Sequence, residues 1–311
     1  MTLHIRTPLL ESLALSARSG LNVFLKVEAL QPTGSFKARG IGHACVEYQK
    51  RGATRFISSS GGNAGLAVAH AGRKLAVPVV VVVPKTTSAR ARELIEMERA
   101  QVIVHGESWN EANEKALSLV DAHSAFVHPF DDPLVWAGHA SLVDELAQES
   151  EKPDAIVLSV GGGGLLCGVC EGLSRNSWHD VPVVAVETRG ADSYAQALAA
   201  GEPVMLPAIS SIASSLGARA VCEKSVSLAS RFTIESVVVS DAQAVTACIS
   251  FLRDHRMLVE PACGAPLAAL TERSTVLARA KKVIAIVCGG VGADYEKLLE
   301  WDAAFRRSAE T

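Results

Sequence analysis

No segment of this chain is apolar for long enough to cross a bilayer; the longest such run, Val77 to Pro84, is less than half of what a membrane helix needs. Charge of one sign is not in excess either. With 30 Lys and Arg against 33 Asp and Glu, a net charge of −3 and a pI near 6.3, neither nucleic acid nor an anionic membrane is indicated as a partner. No fixed-period repeat, low-complexity tract or long polar linker interrupts the sequence. The first residues, Met1 to Pro8, show no basic stretch ahead of an uncharged apolar run, so no secretory signal is expected. The seven cysteines, an odd number, are then expected to be reduced thiols in the cytoplasm. One pair has C-x-x-C spacing, Cys167-Gly168-Val169-Cys170, but it falls inside an expected helix with no second Cys or His pair nearby, which argues against zinc and redox roles. His123 and His128 are equally weak as ligands, and His139 is expected to hydrogen-bond locally.

What is present is a packed α/β pattern. Its 311 residues suggest about two domains, and 49% hydrophobic with 20% charged residues is the composition of a well-filled globule. Val23 to Val27, Arg55 to Ser58, Val79 to Val83, Gln101 to Val104, Ala155 to Val160, Val183 to Glu187 and Val283 to Val287 read as strands. Several are continuously apolar, as parallel strands covered on both faces must be. Helical stretches alternate with them. Leu66 to Leu75 is one; Ser88 precedes another at Ala89 to Arg99; Ser108 and Glu111 have capping-box spacing before Ala112 to Val120; Tyr295 to Arg307 closes the series. The alternation implies parallel sheets, but composition marks no domain boundary.

Four turns carry chemistry. In Thr33-Gly34-Ser35-Phe36-Lys37-Ala38-Arg39-Gly40 a lysine stands between a glycine turn and a helix start, where the dipole and apolar neighbours disfavour the ammonium form and make Lys37 a Schiff-base candidate. The alternative is a solvated lysine in a first turn. Ser58-Ser59-Ser60-Gly61-Gly62-Asn63-Ala64-Gly65 follows a strand and opens a helix, exposing N–H groups that suit a carboxylate. Val157 to Leu166 repeats that order around Gly161, Gly162, Gly163 and Gly164, where main chain can approach a phosphate closely. Val283 to Gly290 is a buried strand ending in the thiol of Cys288. Each alone could be a tight turn; together they supply an amine, two anion cradles and a soft polar group.

These segments, with Pro129-Phe130-Asp131-Asp132-Pro133, Gly138-His139-Ala140-Ser141, Ser159 through Gly168, Glu260-Pro261-Ala262-Cys263-Gly264-Ala265 and Cys288-Gly289-Gly290, carry a strong resemblance over nearly the whole chain. The sequence resembles the serine/threonine dehydratases of the fold-type II pyridoxal-phosphate (PLP) enzymes, and within them the L-serine dehydratase and serine dehydratase-like branch, where a cysteine ends the last motif. Threonine deaminases are similar too, but usually place serine there and often add a regulatory C-terminal domain, which is not expected here. The resemblance implies a tryptophan synthase β-like α/β fold of two parallel-sheet domains with the cofactor in the cleft. It divides the chain into a small domain at 38–131 and a large PLP-binding domain made of 1–37 and 132–311, and it implies a homodimer.

It also implies roles. Lys37 would hold PLP as a Schiff base and then serve as the general base at Cα; Phe36 would stack on one face of the pyridine ring, with Ser215 near the other, where relatives can carry alanine. Asn63 would bond the ring's 3′ oxygen, Gly161 to Gly164 the phosphate, and Cys288 would sit beside the pyridine nitrogen. A thiol protonates pyridine poorly and so weakens the electron sink, which favours prompt loss of a β substituent over transamination or racemisation. The departing hydroxide would be protonated by the cofactor's phosphate, and L-serine or L-threonine would yield pyruvate or 2-oxobutyrate with ammonia. Ser60, Gly61, Gly62, Asn63 and Ala64 would meet the substrate carboxylate, with Phe130 bordering the side-chain pocket. Serine racemases carry a serine where Gly61 stands, so Gly61→Ser is expected to add D-serine formation. Glu187 to Ser193 matches a monovalent-cation segment, possible for potassium, with ligands from the side chains of Glu187 and Ser193 and the carbonyls of Gly161, Ala191, Leu216 and Ala218. The plain alternative there is an ion pair of Glu187 with Arg189 or Arg219. Two other activities compete. A β-replacement transferase of the cysteine synthase type differs only in which nucleophile attacks. An NAD-dependent oxidoreductase would use Gly161 to Gly164 with Glu187, yet Leu166 stands where G-x-G-x-x-G needs its third glycine.

Overall fold

Residues 1–272 and 274–309 are described in the computed structural model. The chain opens with β1 (Leu9–Glu11), α1 (Leu13–Ser19) and β2 (Asn22–Lys26), then enters the long helix α2 (Lys37–Lys50). Next come β3 (Arg55–Ser58), α3 (Asn63–Leu75), β4 (Val79–Val83), α4 (Ala89–Met97), β5 (Gln101–Val104), α5 (Trp109–Ser118) and β6 (Ser124–Phe126). Helix α6 (Pro133–Glu149) leads to β7 (Ala155–Ser159), α7 (Gly164–Arg175), β8 (Val183–Thr188), α8 (Ser193–Ala200) and the short α9 (Glu223–Ser227). The chain finishes through β9 (Ile234–Val239), α10 (Asp241–His255), α11 (Pro261–Ala269), β10 (Lys282–Ile286) and α12 (Tyr295–Ala309).

Two sheets result, one of six strands in the order β1-β2-β10-β7-β8-β9 and one of four in the order β5-β4-β3-β6. The smaller is wholly parallel. The larger is parallel from β2 to β9, with β1 added antiparallel to β2 at its edge, so the two parallel-sheet domains expected are present. Leu9-Leu10-Glu11 is a half-exposed edge, and so short a strand carries no apolar run to reveal it. The central strands follow the expected rule: every residue of β4, β7 and β8 is buried, as helices on both faces require. Ser88 caps α4 and Ser108 forms its capping box with Glu111. The helix following that box starts at Trp109 and α3 starts at Asn63, each three residues ahead of the expected apolar start.

Helix α6 brings the functional turns together. A Cβ on its Gly138 would stand 2.6 Å from His43 Cβ and 2.8 Å from Gly40 Cα, so α2 crosses it with main chains almost touching. Across α6's other side, a Cβ on Gly172 of α7 would lie 2.7 Å from the Ala140 carbonyl oxygen. Below this crossing lies an ionic cluster. Arg39, with no exposed surface, donates to both oxygens of Glu28 at 2.7 and 2.8 Å and to both of Glu145 at 2.7 Å. Lys26, also fully buried, donates to the Thr7 carbonyl at 2.7 Å and pairs with Glu145 at 2.8 Å. Burial opposes the Arg39 charge, but bonds from Glu145 and Glu28 more than offset it and hold the guanidinium ionised. Replacing Arg39 by leucine strands Glu28 in the interior, so urea unfolding of Arg39→Leu is expected to show a loss of about 3–5 kcal/mol; a loss under about 1 kcal/mol would contradict the clamp.

Candidate active site

Lys37 sits at the first turn of α2, and the end of β10 fixes the approach to it. Ser35 pairs with Gly289, Phe36 N–H donates to the Cys288 carbonyl at 3.2 Å, and Gly290 N–H donates to the Gly34 carbonyl at 2.8 Å. The Lys37 amine donates to the Pro129 carbonyl and lies 5.1 Å from the Phe36 ring centroid. Burial pulls its pKa from 10.5 to about 8, only partly opposed by Cys288. The neutral, nucleophilic amine is therefore a minor but substantial form near neutrality, far more populated than in an ordinary lysine. Behind Phe36 stands His139, its ring centroid 4.9 Å away. Its Nδ1 accepts from Gly40 N–H at 3.2 Å, a contact between helices rather than the local one expected, and burial with the nearby Lys37 charge keeps it neutral.

Residue 129 also introduces the next part. Phe130 follows it, and a Cβ on Gly162 would overlap the Phe130 ring, while one on Gly164 would stand 2.7 Å from the Phe130 carbonyl. Gly163 has φ +92° and caps α7 without any side-chain bond. The first N–H groups of α7 thus lack a capping side chain beside a turn with no Cβ, an arrangement suited to an anion. His128 shapes the loop, its Nδ1 accepting from the Phe130 and Asp131 N–H groups.

Asn63, first residue of α3, joins the two sheets. Its Oδ1 accepts from Val291 N–H at 2.7 Å, and its Nδ2 donates to Glu260 at 2.9 Å and faces Ser215 Oγ at 3.4 Å. Helix α3, like α7, has no side-chain N-cap, and Ser60 to Gly62 lead into it. Glu260, fully in this network, is raised above the usual carboxyl range by burial, against bonds from Ser215, Asn63 and Gly292. Sequence reasoning gave it no role, although a carboxylate directly before the helix-starting Pro261 was a visible signal. Cys288 is buried and receives Ser159 Oγ at 3.4 Å. A hydrogen bond with Cys263 and burial push its thiol well above its ordinary value, so it stays neutral. Ser215 occupies a 3-10 turn (Ser214–Leu216) against Gly161.

At the end of β8, Glu187 is fully buried and accepts from Tyr194 and Ala195 N–H groups at 2.7 and 2.8 Å. Burial raises it to about 8. Among the described residues no Lys or Arg pairs with it, and Arg219 instead donates to the Leu206 carbonyl, so the ion-pair alternative is not what the structure has. Ser193 Oγ beside it is buried without a partner. Val160 N–H donates to the Val186 carbonyl, which sets Gly161 beside the end of β8, and a Cβ on Gly161 would stand 3.2 Å from Leu216 Cα. The cysteines of the C-x-x-C do not pair: Cys167 Sγ lies 3.7 Å from Cys222 Sγ, a distant partner in sequence. Among the described residues no three His, Cys, Asp or Glu side chains are grouped to hold a metal ion.

Residues 1–289 match the family described as pyridoxal-phosphate dependent enzyme. The serine dehydratase-like protein of Mus musculus is 49% identical over 307 residues, covering 96% of this chain and 93% of its own length. Human L-serine dehydratase/L-threonine deaminase is 48% identical over 299 residues, with 93% and 91% covered. Among solved structures, a fungal L-serine ammonia-lyase from Rhizomucor miehei superposes with a TM-score of 0.91 at 39% identity, covering 97% of this chain and 98% of that one. With its amine, glycine turn and buried thiol in the arrangement described, the chain belongs to the pyridoxal-phosphate-dependent enzymes, on their serine dehydratase branch.

Proposed function

We propose that the protein is a PLP-dependent ammonia-lyase that removes water from L-serine or L-threonine and releases ammonia with pyruvate or 2-oxobutyrate. The observation that carries this reading is the buried Lys37 amine, its pKa lowered to about 8, set between an uncapped, glycine-lined helix start and a neutral thiol. The residues fit the cofactor. Lys37 would hold its aldehyde carbon, Gly161, Gly162, Gly163 and Gly164 its phosphate, Phe36 and Ser215 the two ring faces, Asn63 its 3′ oxygen and Cys288 its ring nitrogen. When bound, PLP supplies an electron sink for the pair left at Cα.

The chain's own groups then divide the work. The backbone N–H groups of Ser60, Gly61, Gly62, Asn63 and Ala64 orient the substrate carboxylate at the start of α3, and Phe130 bounds the side-chain pocket. Lys37, once its amine is free, takes the Cα proton. Cys288, held neutral by Cys263 and burial, offers the ring nitrogen only a weak donor. That restrains the electron sink and favours loss of the β-hydroxyl. A cysteine synthase-type exchange needs a second nucleophile in the same site, and L-serine alone would then give no keto acid. The oxidoreductase reading loses its ribose acid, because Glu187 is buried and bonded to the first turn of α8. The same reading includes a small domain at 38–131 and a large one at 1–37 and 132–311, supported by the separation of the two sheets, and a cytoplasmic homodimer, supported by the family likeness. A monovalent cation, potassium by preference, would sit among Glu187, Ser193 and the carbonyls of Gly161, Ala191, Leu216 and Ala218; the unpartnered Ser193 hydroxyl supports it.

Incubation with L-serine or L-threonine is expected to give keto acid and ammonia in equal amounts, and Lys37→Ala to abolish both and to remove the borohydride-fixed cofactor from the Lys37 peptide. Keto acid formed undiminished by Lys37→Ala, or product formed only after a thiol is added, would refute the proposal. Capture of PLP by the cofactor-free protein needs the neutral amine, so its rate should climb with pH and level off above about 8; a plateau already reached at pH 6 would contradict the assignment of Lys37. Exchange of potassium for a large organic cation is expected to lower turnover about tenfold or more, and unchanged turnover would leave Glu187 as a purely structural carboxyl.

A further inference from the structure

The turn that would hold the substrate carboxylate contains two adjacent glycines with opposite surroundings. A Cβ on Gly62 would meet nothing within 4 Å. One on Gly61 would stand 2.6 Å from Thr87 Cγ2, 2.7 Å from Thr87 Oγ1 and 3.2 Å from Val83 Cγ1. Position 61 is therefore kept free of a side chain by a residue twenty-six positions further along, in the loop between β4 and α4. Thr87 is poorly able to yield. Its N–H donates to the Pro84 carbonyl at 3.0 Å, closing a turn directly on the buried end of β4. The next residue, Ser88, is the N-cap of α4 and accepts from Ala91 N–H. A β-branched side chain between two such anchors has few rotamers to escape into.

We propose that Thr87 is a positioning residue for the carboxylate turn, filling from outside the space that a side chain at position 61 would take. This inference rests on the reading of Ser60 to Ala64 as the carboxylate cradle. It makes Gly61 and Thr87 one unit: either a bare residue 61 with a branched residue 87, or a side chain at 61 with the space at 87 cleared. The turn cannot move away from Thr87 freely, because a Cβ on Gly65 would already fall within bonding distance of Ser60's carbonyl group and Asn63 is tied to Glu260 and Val291. Any displacement caused by a larger residue 61 is thus passed to the N–H groups of the turn. The sequence-based expectation that Gly61→Ser by itself adds D-serine formation meets the same obstacle, and the added hydroxyl enters the site only with Thr87 trimmed.

The test is a double-mutant cycle with Gly61→Ala, Thr87→Ala and the combined variant. Two readouts are used: KM and kcat for L-serine on the cofactor-loaded enzyme, and the melting temperature of the cofactor-free protein. Gly61→Ala alone is expected to raise KM about tenfold with a smaller effect on kcat, and to lower the melting temperature by roughly 4 °C through overpacking. Combining it with Thr87→Ala should bring KM back within about threefold of the Thr87→Ala value and restore most of the melting temperature. Additive losses in both readouts, or a Gly61→Ala protein indistinguishable from the parent, would overturn the proposal. If Gly61→Ala does not fold, recovery of a folded protein in the combined variant reports the same coupling, and its absence counts against it. Should the melting temperatures couple while none of the four proteins forms keto acid from L-serine, the lyase assignment falls and the packing of residue 87 on residue 61 stands.

Discussion

The span between the Lys37 amine and the glycine turn depends on how closely two helices lie on a third. Helix α2 begins with the amine and α7 begins with the turn; both cross α6 where glycines let main chain meet main chain. His139 of α6 packs directly on Gly40 and Gly168, so the separation of the two functional ends is set by close van der Waals contact. Phe130 completes the arrangement from the loop before α6, with its ring under Gly162, while its neighbour Pro129 accepts from Lys37.

A second set of contacts runs between the sheets. Asn63 reaches from the four-stranded sheet to Glu260 at the head of α11 and to Val291 beyond β10. Three chain segments remote in sequence therefore meet at one amide. Val291 and Glu260 hold its oxygen and one of its N–H groups, which fixes the orientation of a residue whose proposed task is to bond a ring oxygen. Burial acts on every ionisable group lining this junction: desolvation raises the Glu260 carboxyl, a hydrogen bond with Cys263 and desolvation keep the Cys288 thiol neutral, and desolvation with the Lys37 charge keeps His139 neutral. The same burial brings the Lys37 amine down to about 8, within reach of deprotonation near neutral pH.

Much of this could be read from the chain. The continuous valines of β4, the apolar runs of β7, β8 and β10, and the serine caps of α4 and α5 announce themselves, because burial on both faces and helix initiation each demand a local composition. The four turns were also visible, since glycine and small residues after a strand have few other uses. What was not legible depends on long-range geometry. The strands β1 and β6 are three residues each, too short for a pattern, and β9, on an open edge, carries Glu235 and Ser236 among its apolar residues and buries only Val239. Glu260, His139 and Thr87 gain their positions only when distant elements are packed together, and no spacing in the sequence states that packing.

The cluster around Arg39 has a consequence for descent. Its guanidinium, the Lys26 ammonium and the carboxylates of Glu28 and Glu145 could in principle be exchanged together for apolar side chains of similar volume at little cost, whereas the loss of one member alone weakens the pairing of the buried ions that remain. Every single-step route from the ionic arrangement to the oily one passes through a poorly folding ancestor. A lineage that holds these four residues is confined to them by that valley, and the lysine two positions before Arg39 inherits a fixed frame.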